Sequence, residues 1–293
     1  MNLTVPPGKY VLAVSGGVDS MVLLDVLSER SDLCLVVAHF DHGIRPESYL
    51  DEELIRKVAG QKGLSLEVGH GGLDSNASED KARQARYEFL NKFKKSYGAQ
   101  AIITAHHQDD LIETAFLNLI RGTNRQGLTA INNSLILRPM LSISKKAILD
   151  YAEKKQLEWI EDNTNNKDTY LRNYLRRNIL KDLKSSDRQL MLKNLEKVAY
   201  INRELNERIA TLSHSLEKNA VIDREKFTLL PSEVAHEVMA YWLKDHKVRD
   251  FDKRTVQRLS LGLKTARANT KEAVKAGVWL KIDHKTAHFT TSG

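Results

Sequence analysis

The chain has 293 residues, which favours two domains over one, and its 41% hydrophobic and 28% charged residues are those of a folded globular protein, not a disordered one. No run approaches the roughly 18 apolar residues of a membrane span, and the opening MNLTVPPGKYVLAVSGG lacks the basic, apolar and cleavage regions of a secretory signal, so a soluble cytoplasmic protein with no membrane partner is expected. The net charge of +7 is uneven: residues 1–186 carry +1 and residues 187–293 carry +6, the pattern of a polyanion-binding region attached to a nearly neutral one, against the plainer reading of solvated Lys-rich helices.

Tyr10–Val14 (YVLAV) predicts a buried strand, Ser15–Ser20 (SGGVDS) a loop, and Met21–Glu29 a buried helix. Leu33–Ala38 (LCLVVA) predicts a second strand that carries Cys34 into the core. As the single cysteine, Cys34 excludes an internal disulfide and a four-cysteine zinc site. A helix follows over about 47–62, then a short strand, Leu64–Val68, a charged helix over Asp80–Tyr97, a fourth strand, Ala101–Thr104, and a helix over Asp109–Ile120. Strands alternating with helices imply crossover connections, hence an α/β domain with a doubly wound parallel sheet. Beyond Ser142 helices dominate: Ser144–Lys155, a basic stretch Tyr170–Leu183, a long Leu190–Leu216, one opened by Pro231, and Lys253–Arg267. A terminal β-hairpin is predicted from Val278–Ile282 and Thr286–Thr290. The boundary is placed at Ser185–Asp187, giving residues 1–186 and a basic, mainly helical domain of residues 187–293.

Two motifs carry chemistry. SGGVDS follows a strand and opens a helix, so backbone N–H groups and the helix N-terminus can face a phosphate, and Gly16 and Gly17 allow close approach. Asp19 is repulsive there unless a cation intervenes, which suggests Mg²⁺ held against the phosphates. Neither a Walker loop nor the Rossmann glycine pattern is present. TAHHQDDLIET (Thr104–Thr114) lies at the carboxyl end of a parallel strand, where ligands bind in such folds. Asp109 or Asp110 can cap the following helix, while Asp110 and Glu113, three apart, share one face of its first turn. The two histidines with these carboxylates suit an ammonium ligand, proton transfer or a metal.

These motifs, with FDHGIRPES (Phe40–Ser48), ARQARYEFL (Ala82–Leu90), RPML (Arg138–Leu141), EDNTN (Glu161–Asn165) and RNYLRRNIL (Arg172–Leu180), resemble in order and spacing the tRNA(Ile)-lysidine synthetases. That family belongs to the N-type ATP pyrophosphatases, with a PP-loop, adenine nucleotide alpha hydrolase-like fold. The resemblance covers essentially the whole first domain and is to the short form, which has one domain after it. It implies ATP and Mg²⁺, free L-lysine, and a tRNA(Ile) with a CAU anticodon; homodimerisation is left open. ATP contacts are implied for Ser15, Gly16, Gly17, Val18, Asp19, Ser20 and His39, with Asp19 also on the metal. Arg86 and His106 match the reaction centre, Asp110 and Glu113 the lysine site, and Arg172 and Arg176 phosphate contacts on the tRNA. Asn124 and Met140 depart from the family pattern, which has glycine and leucine there. The lone cysteine argues against sulfur transfer. An ammonia-dependent synthetase that adenylates a small molecule is the alternative.

Overall fold

A computed structural model describes residues 1–43, 47–72, 79–123, 125–129, 131, 136–161, 171–248 and 251–291, without the side chains of Glu79, Asp80, Arg172 and Asn173. Asn124, residues 162–165 of EDNTN and the side chain of Arg172 therefore lie outside it. Contacts divide the chain into two units, Met1–Ala199 and Tyr200–Gly293.

The first unit is built on the apolar run read from the sequence. β1 (Gly8–Ala13) leads into α1 (Val18–Ser28), then β2 (Leu33–Asp41), α2 (Ser48–Gln61), β3 (Ser65–His70), α3 (Glu79–Ser96), β4 (Ala101–Ile103) and α4 (Gln108–Ile120). The short α5 (Arg125–Leu128), β5 (Ile136–Leu137), α6 (Lys145–Lys154) and α7 (Leu171–Leu175) follow, and a π-helical turn, Arg176–Leu180, continues α7. The five strands pair in parallel in the order β3-β2-β1-β4-β5. Alternation along the strands fills both faces. Tyr10, Leu12, Val37 and Ile103 join one core with α1, α2 and α6, while Val11, Ala38 and Ile102 meet Leu90, Phe89 and Phe93 of α3 on the other. Helix α1 is buried nearly all round, from Val18 to Leu27. Cys34 corrects an expectation: it is exposed, because the opening of β2 precedes the covered stretch of that strand.

The break between the units falls inside α8 (Ser185–Leu216), a longer helix than the expected Leu190–Leu216. In the second unit β6 (Glu217–Lys218), β7 (Val221–Asp223), α9 (Arg224–Thr228), α10 (Ser232–Asp245), α11 (Lys253–Thr265), β8 (Thr270–Lys275), β9 (Val278–Ile282) and β10 (Thr286–Thr291) follow in order. The terminal hairpin, β9 with β10, belongs to a five-stranded antiparallel sheet in the order β6-β7-β10-β9-β8. Its core gathers Phe227, Met239, Trp242, Leu259 and Leu280. Among the described residues, no helix is long and apolar enough to cross a membrane.

Candidate active site

The chain runs outward from β1 through β2 to β3, then restarts on the other side of β1 with β4 and β5. Such a reversal opens a crevice at the carboxyl ends of the two central strands. Both motifs emerge there: the SGG turn after β1 and the AHH segment after β4.

In the first loop, Gly16 takes φ +86°, a left-handed conformation that side chains resist, and a Cβ there would lie 2.7 Å from Asp51 Oδ1. Gly17 caps α1 with φ −72°, and a Cβ on it would find Ser15 Oγ as its nearest neighbour, at 3.8 Å. Conformation thus demands glycine at position 16, whereas at Gly17 the protein leaves room for a Cβ. The loop is braced from within. The Ser15 N–H donates to Ser20 Oγ (3.1 Å), and the Ser20 hydroxyl donates to the Gly17 carbonyl (2.9 Å). Ile160 N–H donates to the Gly16 carbonyl at 3.1 Å. His39 is buried beside it, Nδ1 2.9 Å from the Val14 carbonyl, while Nε2 is buried with no hydrogen-bond partner. A polar atom left in that state is a ready contact for a bound molecule.

At the second motif, the helix cap differs from the expectation. His107 is the N-cap of α4, its Nδ1 accepting from the Asp109 N–H (3.2 Å), and Asp110 Oδ2 accepts the His107 N–H (2.9 Å). The cap is therefore a box shared by His107 and Asp110. The other oxygen of Asp110 accepts from Arg176 Nη2 at 2.9 Å, and Arg176 Nε donates to Glu113 Oε2 at 2.5 Å. Glu113 is buried, with its side chain 1% exposed. Asp109 instead pairs with Arg188. The Arg176 side chain, expected to point to tRNA phosphate, is held by the two carboxylates expected to bind lysine.

Asp19 joins the same network. Lys145 Nζ lies 2.6 Å from Asp19 Oδ1, while His107 Nε2 lies 3.8 Å from Asp19 Oδ2 and 3.6 Å from Asp110 Oδ2. The residues therefore connect in a chain, Lys145–Asp19–His107–Asp110–Arg176–Glu113. Burial would raise the Asp110 carboxyl, but His107, His106, the His107 N–H and Arg176 together hold it below the usual carboxylate range. His106 is pushed down to about 4, chiefly by burial; Asp110 opposes this, and Arg138, Arg86 and Arg83 add to it. It is a neutral imidazole at pH 7, with Nδ1 2.7 Å from Thr104 Oγ1. Arg86 thus acts electrostatically on His106, as it does on His42, whose imidazole is also lowered mainly by burial. Lys145, Arg188 and Thr104 were not singled out from the sequence. Arg138, in RPML, was quoted there without a role.

Residues 2–183 match the family model described as the PP-loop domain. The chain belongs to the PP-loop family. Among similar proteins is the tRNA(Ile)-lysidine synthase of Bacteroides thetaiotaomicron, 37% identical over 61% of this chain and 44% of that protein. The enzyme of the same name from Thermotoga maritima is 38% identical over 59% of this chain and 45% of that one. The matched part of the chain spans less than half the length of these relatives. Among solved structures, a U34-tRNA thiolase from Methanococcus maripaludis superposes with a TM-score of 0.54 at 16% identity, over 66% of this chain and 73% of that one. That likeness is one of fold.

Proposed function

We propose that this PP-loop protein is an ATP-dependent ligase that joins free L-lysine to C2 of the wobble cytidine in the CAU anticodon of tRNA(Ile). The C2 oxygen attacks the α-phosphorus of ATP, whose bond to the bridging oxygen breaks to release pyrophosphate. The lysine amine then attacks C2, the C2–O bond breaks to expel AMP, and the proton lost by the amine goes to Asp110 or Glu113. The observation that carries the reading is the Arg176 guanidinium gripped by Asp110 and Glu113, which makes this carboxylate pair a site for a cationic side chain. The names of the similar proteins support the same substrates.

Ser15, Gly16, Gly17, Val18 and Ser20 would cradle the phosphates, with the buried Nε2 of His39 as a further nucleotide contact. Arg86 and the neutral His106 would stabilise charge developing on the α-phosphate. Asp19 fits a divalent ion, since its carboxylate already attracts one cation, Lys145; Mg²⁺ there would neutralise phosphate charge. The positive surplus of residues 187–293, together with Arg172 of the first domain, would meet the tRNA backbone. Arg176 becomes available for phosphate once lysine takes its place.

The test is transfer of radiolabelled lysine to RNA with ATP and Mg²⁺, comparing an isoleucine tRNA bearing CAU with an elongator methionine tRNA. Label confined to the isoleucine tRNA is expected. AMP and pyrophosphate released with neither tRNA labelled would replace this reading with that of a small-molecule synthetase.

A further inference from the structure

The second unit contains a separate constellation. Glu217, in β6 directly after α8, faces the C-terminal end of α10, where Asp245 is the last helical residue and His246 the cap. One potential ligand atom from each of the three lies within 4.8 Å of the other two, which no other group of His, Cys, Asp and Glu achieves among the described residues. The histidines and carboxylates of the TAHHQDD segment, whose types also suit a metal, do not assemble in this way.

We propose that Glu217, Asp245 and His246 bind a divalent transition-metal ion of the zinc class, with water completing the coordination. His246 Nε2 stands 3.2 Å from Glu217 Oε1, close to the roughly 3.3 Å that separates neighbouring ligands around a tetrahedral ion bound at about 2.0–2.2 Å. The other imidazole nitrogen, Nδ1, lies 3.0 Å from the Trp242 carbonyl. In the neutral ring that contact puts the proton on Nδ1 and turns the Nε2 lone pair toward Glu217, the orientation a metal-binding histidine takes from its outer partner. The ring is further fixed by Trp242 and Phe289, each with its centroid 5.5 Å away.

Two features are independent of that spacing. Glu217 Oε2 is buried without any hydrogen-bond partner, so part of the carboxylate charge is uncompensated by the protein. The site also sits at the carboxyl end of a 14-residue helix, where unpaired carbonyls favour a cation. Asp245, with a side chain 46% exposed, has freedom to close on the ion, and His214 Nε2 lies 4.0 Å from its Oδ2. A bound ion would pin the end of α8 to the end of α10.

The rival arrangement is a protonated His246 bridging to Glu217 with no ion. To separate the two, the full chain is stripped with a chelator and titrated with Co²⁺, followed by its visible absorption, and then with Zn²⁺, followed by thermal melting. One equivalent of Co²⁺ should develop ligand-field bands that Zn²⁺ abolishes, and Zn²⁺ should raise the melting temperature. His246→Gln, and independently Glu217→Gln, should weaken uptake beyond the roughly 10–100-fold that loss of an outer-shell partner costs. Absence of Co²⁺ bands in the wild type would overturn the proposal, as would bands that persist in both variants.

Discussion

The ammonium of Lys145 lies 2.6 Å from Asp19 Oδ1, so the acidic residue that opens α1 is already paired with a cation carried by α6. Both side chains are about one-third exposed, at 36% and 30%. Such a pair contributes at most about 1 kcal/mol to stability. Lys145→Ala is therefore expected to leave thermal melting nearly unchanged. On the proposed role of Asp19, Lys145 and Mg²⁺ compete for one carboxylate, so the same variant should lower the Mg²⁺ concentration for half-maximal pyrophosphate release several-fold, while Asp19→Asn raises it. A Mg²⁺ titration of turnover checks both.

Arg176 should act as a structural cation in the free protein. Arg176→Ala takes a charge-assisted partner from buried Glu113 and is expected to cost about 1–3 kcal/mol in urea unfolding. Arg176→Lys should recover less than half of this, since an ammonium lacks the planar fork that reaches both carboxylates. Added L-lysine should restore part of the stability of Arg176→Ala. The absence of any such restoration would argue that the emptied pair does not accept a free amine.

The two loop glycines should respond differently. Gly16→Ala meets both a positive φ, costing about 1–2 kcal/mol, and Asp51 Oδ1 at 2.7 Å, so lowered melting and loss of ATP binding are expected together. Gly17→Ala has room and an ordinary φ, so melting should fall by no more than about 1 kcal/mol. Calorimetric ATP titration of both variants makes the comparison.

The depressed His106 imidazole sets a pH dependence. Unfolded, it takes up a proton near pH 6.5; folded, only near about 4. Between those values the unfolded chain holds more protons, so stability falls as pH drops from 6.5 toward 4. His106→Gln should flatten that part of the curve. Urea midpoints across this range, wild type against variant, provide the measurement.

Much of the first unit was legible because β1, β2 and β4 hold apolar runs and α2, α3 and α4 give way to Gly63, Gly98 and Gly122. The expected Leu33–Ala38 lies within β2, and the helix expected over Asp109–Ile120 is α4 to within one residue. The elements missed are short or polar. β5 has two residues, and β8 reads TKEAVK, with only Val274 buried. The basic stretch after Tyr170 contains α7 and then a π-helical turn, a change of hydrogen-bonding that side-chain spacing does not reveal. In the site, the motifs themselves were visible, but their charge partners were not. Lys145 meets Asp19, and Arg188 meets Asp109, across long separations, and nothing local distinguishes either cation from a solvated one.

The strand order has a consequence for how the protein acquires its crevice. β1 is made first, yet its pairing with β4, Tyr10 against Ala101, waits until β2, α2, β3 and α3 have all been synthesised. Closing so long a loop delays contact formation far more than local helix growth does. During synthesis the half of the sheet containing β1, β2 and β3 has its sequence in hand before the other half exists, and the exposed edge of β1 must stay unpaired in the interval. The wall that carries Asp110 and Glu113 is therefore a late arrival, and a chain halted before β4 would have the glycine turn with nothing opposite it.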